Sequence, residues 1–575
     1  MLVKLISAQN IESKPAKSLA LSKLWLVLFA VTLSTAWLLP NHYLPWSSFH
    51  MDAWVAILMC VASILIIFKS PIDSSWDAMS LMAVALTCLP LLQYVLGIVA
   101  FAGVAWINTS YMVGFLLALH IGKLWERATP GELGDTLFLA IGIASLASVG
   151  LQLYQWFQLD GIDVWLMGLG QGRPYANFGQ PNQLATFLLW GLLAFCWGAY
   201  RGYISFSISI FSASFLLLGL AMTASRTAWL ALLFFVMMAW VWRKYCPIRS
   251  MPWVVTLLGL FFVLCAAALE PIGDLFGITA ADPFHASRMV PGMRTQIWAL
   301  LVSAVFEHPF LGYGWGQVVE AQLEQANKFP PIHVVFTHSH NLFLDLALWS
   351  GIPIAVAILF LLAGWLFEKF KRVQSPKSAL MLLFVLVPLN HAMLELPLHY
   401  AYFLLPSGLM IGAMNSTHQF LNGPRAGRKT LLMIWIAAVV LLTIIIRDYA
   451  RVESSYLQMR FFQSKPTVFE APEVPNVIIL TQWREFIKLF NYEPHAKMST
   501  EKIEWMRELT QLYPSAGFSQ KLATGYAFRD EIENAQRTLK LACKVNTLSQ
   551  CEALKNAWSQ QSLTNLYVAK VAWPE

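Results

Sequence analysis

Two histidines stand directly before a long apolar segment, within the stretch 337–341, whose sequence is THSHN. The residues that follow, 342–348, are apolar except for Asp345. An ionisable side chain beside a membrane segment is costly to place and is by default a candidate functional group, and an imidazole exchanges its proton near neutral pH. We therefore expect His340 to act as a general base or as a hydrogen-bond donor to a leaving group. For His338 a structural cap is the better interpretation.

A second polar segment, 172–183 with the sequence GRPYANFGQPNQ, precedes a predicted membrane helix. It combines the guanidinium of Arg173 with four carboxamides, and such side chains suit the hydroxyls of a sugar or a phosphate group. The carboxamides belong to Asn177, Gln180, Asn182 and Gln183. The alternative is an interfacial loop whose amides cap turns and the next helix; the density of amides favours binding.

Three more arginines interrupt regions that are otherwise poor in positive charge. Arg226 lies between two apolar runs, where a charged side chain costs roughly 3 kcal/mol even on lenient scales. Arg288 and Arg294 lie in the long polar loop 270–340. Guanidinium groups match diphosphate oxygens well, so we predict anion binding. Snorkelling of Arg226 toward water and a solvated loop face for Arg288 are the alternatives.

A last cluster surrounds the turn 394–400. His391 and Glu395 are four residues apart and share one helix face. They could hold a metal, but a hydrogen-bonded polar network inside a helix bundle is the favoured interpretation. Tyr400 ends this turn with a phenol hydroxyl. The cysteines include no CxxC pair and no thiolate cluster, so we predict no zinc site.

Composition places these residues in a membrane protein. Of 575 residues, 57% are hydrophobic and 12% are charged, against about 25% charged in an average protein. Since about 20 apolar residues span a bilayer, the sequence predicts thirteen membrane helices. They cover residues 24–40, 52–69, 78–97, 101–122, 135–156, 184–200, 203–223, 227–242, 252–269, 341–367, 379–396, 400–416 and 430–446.

Charge placement predicts how these helices are oriented. Lysines and arginines cluster before the first helix and in every second loop, which by the positive-inside rule makes those regions cytoplasmic. An odd number of helices then places the carboxyl-terminal segment outside, together with loops 157–183 and 270–340. For a bacterial inner-membrane protein that compartment is the periplasm. The net charge of +7 is spread over these short clusters and does not indicate nucleic-acid binding.

The chain changes character after residue 447. Residues 448–575 contain no spanning run, and segments 503–512, 517–528 and 531–543 have helical periodicity. Short helix pairs of this spacing resemble degenerate tetratricopeptide repeats, which bind partners. We predict an all-α fold: a polytopic inner-membrane helical bundle, residues 1–447, and a soluble helical, repeat-like domain, residues 448–575. Cys543 and Cys551 are expected to form a disulfide on which activity does not depend.

Two motifs resemble a known family. His340 and Asn341, followed after nine residues by Gly351 and Ile352, match the H-[NSQ]-x9-G-[VTI] pattern of the O-antigen ligase superfamily. The segment 308–316, HPFLGYGWG, resembles that family's HPxxGxGxG segment. The resemblance covers about residues 130–415. The segment 177–183 and the long tail are most similar to the PglL-type protein (pilin) O-oligosaccharyltransferases.

The resemblance implies a glycosyltransferase that needs no cofactor and no metal. It would move a glycan from undecaprenyl diphosphate, outside the inner membrane, onto a Ser or Thr hydroxyl of an exported protein such as a type IV pilin. It implies His340 and Tyr400 as catalytic residues. The implied diphosphate ligands are Arg173, Arg226, Arg288 and Arg294. The implied glycan or acceptor ligands are Asn177, Gln180, Asn182, Gln183, Asn341 and Glu395.

Three alternatives stay open. Within the same enzyme class, the acceptor would be lipid A-core for an O-antigen ligase, or a growing O-antigen chain for a polymerase. In another class, a transporter of lipid-linked glycan would also have many helices and buried arginines. A transporter is expected to show charged residues near helix centres and related halves, whereas here the reactive residues gather on one face.

Overall fold

The computed structural model of the protein describes residues 23–70, 74–169, 173–278, 293–417 and 422–574. Arg288 lies outside these ranges, so its predicted role stays a prediction. Fifteen helices are described between residues 23 and 464. They are α1 (Lys23–Ser34), α2 (Phe49–Lys69), α3 (Ala78–Val95), α4 (Ala102–Ala128), α5 (Glu132–Trp156), α6 (Pro181–Tyr200), α7 (Phe206–Met222), α8 (Arg226–Val241), α9 (Met251–Leu275), α10 (Met293–Glu307), α11 (Val318–Gln325), α12 (Leu342–Lys371), α13 (Pro376–Ala392), α14 (Ala401–Met414) and α15 (Arg428–Ser464).

Each of the thirteen predicted membrane segments coincides with an apolar helix. Within the described residues, eight helices are long and apolar enough to cross a bilayer, namely α2, α3, α4, α5, α6, α9, α12 and α15. Five shorter apolar helices complete the set: α1 with the 3-10 turn that extends it to Leu38, α7, α8, α13 and α14. The predicted all-α class is confirmed, and the protein is an integral membrane protein.

The two glycine-containing motifs pack against each other through their backbones. Helix α12 is kinked at Gly351, whose φ of 78° and ψ of 166° are accessible essentially to glycine alone. A Cβ on Gly351 would lie 2.3 Å from the Phe310 carbonyl oxygen, and a Cβ on Gly312 would lie 2.4 Å from the Leu348 carbonyl oxygen. The amides of Tyr313 and Ile352 donate across this contact at 2.7 Å. The kink therefore fixes segment 308–316 beside the start of α12.

A single amide on α3 holds the same junction. Gln93, 2% exposed, donates from Nε2 to the Trp349 carbonyl oxygen at 2.6 Å and accepts at Oε1 from the Trp315 amide at 2.9 Å. A buried carboxamide without partners would be unfavourable. In this case it satisfies one carbonyl of the kinked helix and one amide of the adjoining segment 308–316.

The opposite end of the bundle contains a small sheet that the sequence did not reveal. Strand β1 (Ser74–Asp77) pairs antiparallel with β2 (Asn422–Ala426). Asp77 forms an ion pair with Lys123 at 2.9 Å, with both side chains fully buried. The sequence placed Lys123 in a loop after a helix ending at 122, which is wrong, because α4 continues to Ala128. The charge pattern could not show that a buried carboxylate compensates this lysine.

Six helices form the tail. They are α16 (Thr481–Asn491), α17 (Thr500–Leu512), α18 (Ala516–Phe528), α19 (Ile532–Val545), α20 (Leu548–Thr564) and α21 (Leu566–Ala569). They share a core that includes Met506, Leu522 and Leu539. The predicted disulfide between Cys543 and Cys551 is confirmed. Helix α15 runs without interruption through residue 447, so it connects the membrane bundle directly to this tail.

Candidate functional site

The carboxylate of Glu395 is the centre of a polar network at one end of the bundle. It lies 7% exposed in the turn after α13 and accepts hydrogen bonds from Gln180 Nε2 at 2.9 Å, from His391 Nε2 at 3.0 Å, and from Asn182 Nδ2. His391 Nδ1 bonds the Thr186 hydroxyl at 2.7 Å. Both ring nitrogens of His391 are thus engaged in a hydrogen-bonded network rather than left free for a metal.

Glu395 is held in its ionised form. Burial raises its pKa, but the hydrogen bond and electrostatic effect of His391, the hydrogen bond of Asn182 and the electrostatic effect of His340 outweigh burial and lower the pKa. A buried carboxylate that accepts several hydrogen bonds is stable as an anion. The network therefore places one negative charge beside residues 337–341, which we call the histidine loop.

A tight loop before α12 aims His340 at this network. His340 has a positive φ of 59°, a left-handed conformation that histidine adopts more readily than most residues. Ser339 holds the loop: its amide donates to Asp345 Oδ1 at 2.7 Å, and its carbonyl accepts from Trp298 Nε1 at 2.9 Å. Within the described residues, His340 Nδ1 is buried and has no hydrogen-bond partner. Its lone pair is therefore not used by the described part of the protein.

The surroundings keep His340 neutral. Burial lowers its pKa most strongly, Glu395 raises it, Arg294 lowers it and a backbone hydrogen bond to Leu394 raises it; the net shift is downward. A neutral imidazole with a free nitrogen is able to accept a proton. The ring of His338 lies 4.1 Å from that of His340, and burial together with the two neighbouring histidines His340 and His399 lowers its pKa to about 3.

This arrangement predicts the pH dependence of the reaction. Because the pKa of His340 is lowered from its ordinary value, the neutral imidazole predominates at neutral pH, and activity is expected to be level at neutral and alkaline pH and to fall as the pH drops through the lowered pKa. Glu395→Gln removes a charge that raises this pKa, so the acidic limb of the profile is expected to move to lower pH. Steady-state rates of the purified protein between pH 4 and 9 measure both. A wild-type acidic limb centred above pH 7 would contradict the assignment.

Two of the predicted arginines lie close together at the turn between α7 and α8. Arg173 donates from Nη1 to the carbonyl oxygens of Thr223 and Ala224 at 3.0 and 3.1 Å, and so satisfies the free end of α7. Its pKa is lowered by burial, raised by Glu395 and lowered again by Arg226. Arg226 is exposed at the first position of α8, with no ion-pair partner among the described residues.

The remaining predicted arginine and a hidden hydroxyl complete the positive region. Arg294 is half-buried at the start of α10 and lies near enough to His340 to lower its pKa. The hydroxyl of Ser225, 1% exposed, has no hydrogen-bond partner in the described part of the chain. It immediately precedes the amino terminus of α8, whose free N–H groups attract anions. Ser225 is not among the site residues predicted from the sequence.

Tyr402 and Gln183 extend the Glu395 network by two further hydrogen bonds. Tyr402 donates to Gln183 Oε1 at 2.6 Å, and Gln183 Nε2 donates to Gln180 Oε1 at 3.0 Å. Tyr400 stacks on Tyr402 with ring centroids 5.2 Å apart. Burial raises the pKa of Tyr400 to about 12, against a hydrogen bond with Gln183 that lowers it. Tyr400 therefore keeps its hydroxyl proton and can donate a hydrogen bond.

The side chains of two predicted ligand-binding residues form hydrogen bonds with backbone groups of the protein. Asn177, 1% exposed, donates from Nδ2 to the Leu38 and Trp165 carbonyl oxygens at 2.7 and 2.9 Å and accepts from the Met167 amide at 3.0 Å. The scaffold therefore engages both side-chain N–H groups of Asn177, and its predicted contact with the glycan stays a prediction. The Oδ1 atom of Asn341 caps α12, which leaves only its N–H groups for a ligand.

Comparison with known proteins agrees with this geometry. Three family descriptions match the chain: "Protein glycosylation ligase" over residues 174–197, "O-Antigen ligase" over 211–359, and "Virulence factor membrane-bound polymerase, C-terminal" over 352–545. A general O-oligosaccharyltransferase of Acinetobacter baylyi is 28% identical over 530 residues, which are 90% of this chain and 91% of the relative. A ComP-specific O-oligosaccharyltransferase of the same organism is 34% identical over 248 residues, 43% of this chain and 44% of the relative.

The glycosylation-ligase match begins just after Arg173 and covers the amides that hold Glu395, whereas the ligase match ends just beyond the kink at Gly351. Both halves of the site thus belong to matched segments. The chain is a glycosyltransferase, and it is most similar to the PglL-type protein O-oligosaccharyltransferases of the O-antigen ligase superfamily.

Proposed function

We propose that this protein transfers a preassembled glycan from undecaprenyl diphosphate to Ser or Thr hydroxyls of exported proteins, such as a type IV pilin, at the periplasmic face of the bacterial inner membrane. The observation that carries the proposal is the neutral His340, whose Nδ1 has no hydrogen-bond partner among the described residues and which stands between the Glu395 network and Arg294. A proton acceptor beside cations is what displacement of a diphosphate by a hydroxyl requires.

The reaction breaks the bond from the anomeric carbon to the diphosphate oxygen and the O–H bond of the acceptor, and it forms a new glycosidic C–O bond and an N–H bond on His340. The acceptor oxygen attacks the anomeric carbon of the first sugar, and the bond from that carbon to the diphosphate oxygen breaks. The acceptor proton passes to His340 Nδ1, and undecaprenyl diphosphate leaves with the electron pair. The negative charge that develops on the leaving oxygen requires preorganised cations.

The region at the start of α8 is suited to bind the diphosphate. It combines the exposed guanidinium of Arg226, the neighbouring Arg173, the amino terminus of α8 and the unpartnered hydroxyl of Ser225. Arg294 would neutralise charge nearer His340. Arg288 keeps the same proposed role from sequence alone.

The amides and tyrosine are suited to hold sugar and acceptor. Gln180 and Asn182 each give a side-chain N–H to Glu395, and each retains a second N–H group for a ligand. Asn341 likewise retains its amide N–H groups, and Tyr400 offers a hydroxyl donor. Gln183 acts indirectly by holding Gln180, because its side chain is hydrogen-bonded to Tyr402 and Gln180.

An apolar cavity of about 310 Å³ adjoins this site. Its wall includes Trp349 and His399 near the histidine loop, and Met79, Tyr111 and Leu404 further along the membrane helices. Apolar and aromatic walls suit the first isoprene units of the donor. The carrier lipid would then lie in the bundle while its diphosphate reaches the arginines.

Arg226→Lys is expected to lower kcat/KM for the lipid-linked donor about tenfold, because an ammonium cannot make the paired contacts of a guanidinium. The effect should fall on the KM for the donor rather than on that for the acceptor. Arg243→Lys, in the loop that follows α8, is the matched control and should leave both constants unchanged. Donor kinetics that stay normal in Arg226→Lys and in Arg294→Lys would make these arginines structural.

Reconstitution is the direct test of the proposed function. The purified protein in liposomes is given undecaprenyl-diphosphate glycan together with either a Ser/Thr-rich protein acceptor or lipid A-core. Glycan on the protein, and none on the core, is expected. Transfer to the core alone would assign an O-antigen ligase, extension of the lipid-linked glycan a polymerase, and movement of the lipid without any transfer a transporter.

The proposed orientation has its own test. Reporter fusions at residues 320 and 560 are expected to signal the periplasm, and a fusion at residue 373 the cytoplasm, as the distribution of lysine and arginine predicts. A cytoplasmic signal at 560 would separate the tail from the side on which the site lies, and the count of thirteen crossings would fail.

A further inference from the structure

The tail is docked on the loop that carries the catalytic histidine. The loop amide of His333 donates to the Lys544 carbonyl oxygen at 3.0 Å, and His333 Nδ1 lies 3.0 and 3.3 Å from the carbonyl oxygens of Cys543 and Asn546. Because carbonyl oxygens only accept, Nδ1 must carry the proton. His333 thus caps the carboxyl end of α19, where helix carbonyls lack internal partners.

The contact is reciprocal. Lys544 Nζ donates to the carbonyl oxygen of Ala326, which ends α11, at 2.9 Å. Val545 is buried against Val319 and Leu323 on the same side. Each helix end is therefore capped by a side chain of the other segment, and an apolar cluster seals the junction.

A short chain of contacts links this junction to His340, seven residues further on. Gln322 of α11 donates to the Val334 carbonyl oxygen at 2.7 Å and accepts from the Phe336 amide at 2.8 Å. Phe336 is 6% exposed. His333 itself has a positive φ of 57°, which needs support from its surroundings. Loop 326–341 is therefore fixed at one end by the tail and at the other by α12.

We propose that His333 is a positioning residue, through which α19 of the tail fixes the loop that presents His340 to the substrate. This inference rests on the proposed function. It gives the tail a part in turnover that is separate from acceptor capture. Small displacements of a catalytic group reduce rates strongly, by up to about 10²-fold for 1 Å.

The test compares His333→Ala and Lys544→Met with His333→Asn, which keeps both a donor and tolerance of the left-handed conformation. His333→Ala and Lys544→Met are expected to lower kcat about tenfold while KM for the lipid-linked donor changes less than about twofold. His333→Asn should restore most of kcat. His495→Ala and Lys555→Met, exposed residues of the same tail, are matched controls.

Hydrogen exchange supplies a readout that does not depend on transfer. Amides 334–341 are expected to exchange faster in His333→Ala, with the membrane helices unchanged. Normal kcat and unchanged exchange in both test variants would overturn the inference, as would a raised acceptor KM with normal kcat, which would mean acceptor capture alone. If the wild type transfers nothing to protein, the proposed function fails, whereas the exchange data still decide whether the junction orders the loop.

Discussion

His340→Ala is expected to lower glycan transfer by about 10²–10⁴-fold, the contribution of a well-placed general base. The purified variant should still insert, fold and bind the lipid-linked donor, because the ring contributes a single hydrogen bond to the Leu394 backbone and its Nδ1 makes none to the described part of the protein. Single-turnover transfer of labelled glycan to a protein acceptor measures the loss.

His340→Asn separates the proton-transfer role from the backbone. Asparagine tolerates the left-handed conformation, so this variant should keep the loop and still be inactive. His338→Ala is expected to have a smaller effect, because desolvation and the neighbouring histidines lower the pKa of His338 to about 3, which makes it a poor base. An active His340→Ala protein beside an inactive His338→Ala protein would reverse the two assignments.

Gly351→Ala is the second change with a large expected effect. A Cβ at this position meets the Phe310 carbonyl oxygen at 2.3 Å, and the backbone conformation alone costs a non-glycine residue about 1–3 kcal/mol. We expect a lower midpoint of thermal unfolding in detergent and a loss of transfer of about 10²-fold, because the start of α12 carries His340.

Gly150→Ala is the control for that prediction. Gly150 lies inside α5 with no atom within 4 Å of an added Cβ, and alanine is favoured over glycine in a helix by about 1 kcal/mol. Thermal stability and transfer should stay unchanged or rise slightly. A Gly351→Ala protein that matches Gly150→Ala in both measurements would show that the kink is not needed to position the histidine loop.

The sequence determined where the membrane helices lie and which loops carry the reactive groups. An apolar run of about 20 residues is a one-dimensional signal, because no polar backbone group is left unpaired in lipid. The sequence also predicted that four polar residues lie at the same end of the bundle, because they stand at helix ends on one side of the membrane. They are Gln180, Asn182, Arg173 and Glu395. Ends were less well determined: α15 extends to Ser464 rather than 446.

Only the tertiary structure decided what each polar side chain contacts. Asn177 and Gln180 are three residues apart and both carry a carboxamide, yet Asn177 bonds backbone groups of the scaffold and Gln180 bonds Glu395. Lys123 was placed in a cytoplasmic loop, because its partner Asp77 lies 46 residues away and local sequence does not show their pairing. Hydrogen-bond partners are chosen by spatial proximity, which local sequence does not contain.

The same reason explains the two junctions that hold the histidine loop. The close approach of Gly351 to Phe310 requires a glycine, but neither motif indicates that segment 308–316 contacts the start of α12. The docking of His333 on the end of α19 joins residues more than 200 positions apart. Hydropathy and motif spacing therefore determined the class of protein and its candidate reactive residues, whereas packing decided which of those residues bond the scaffold and which keep free hydrogen-bonding atoms.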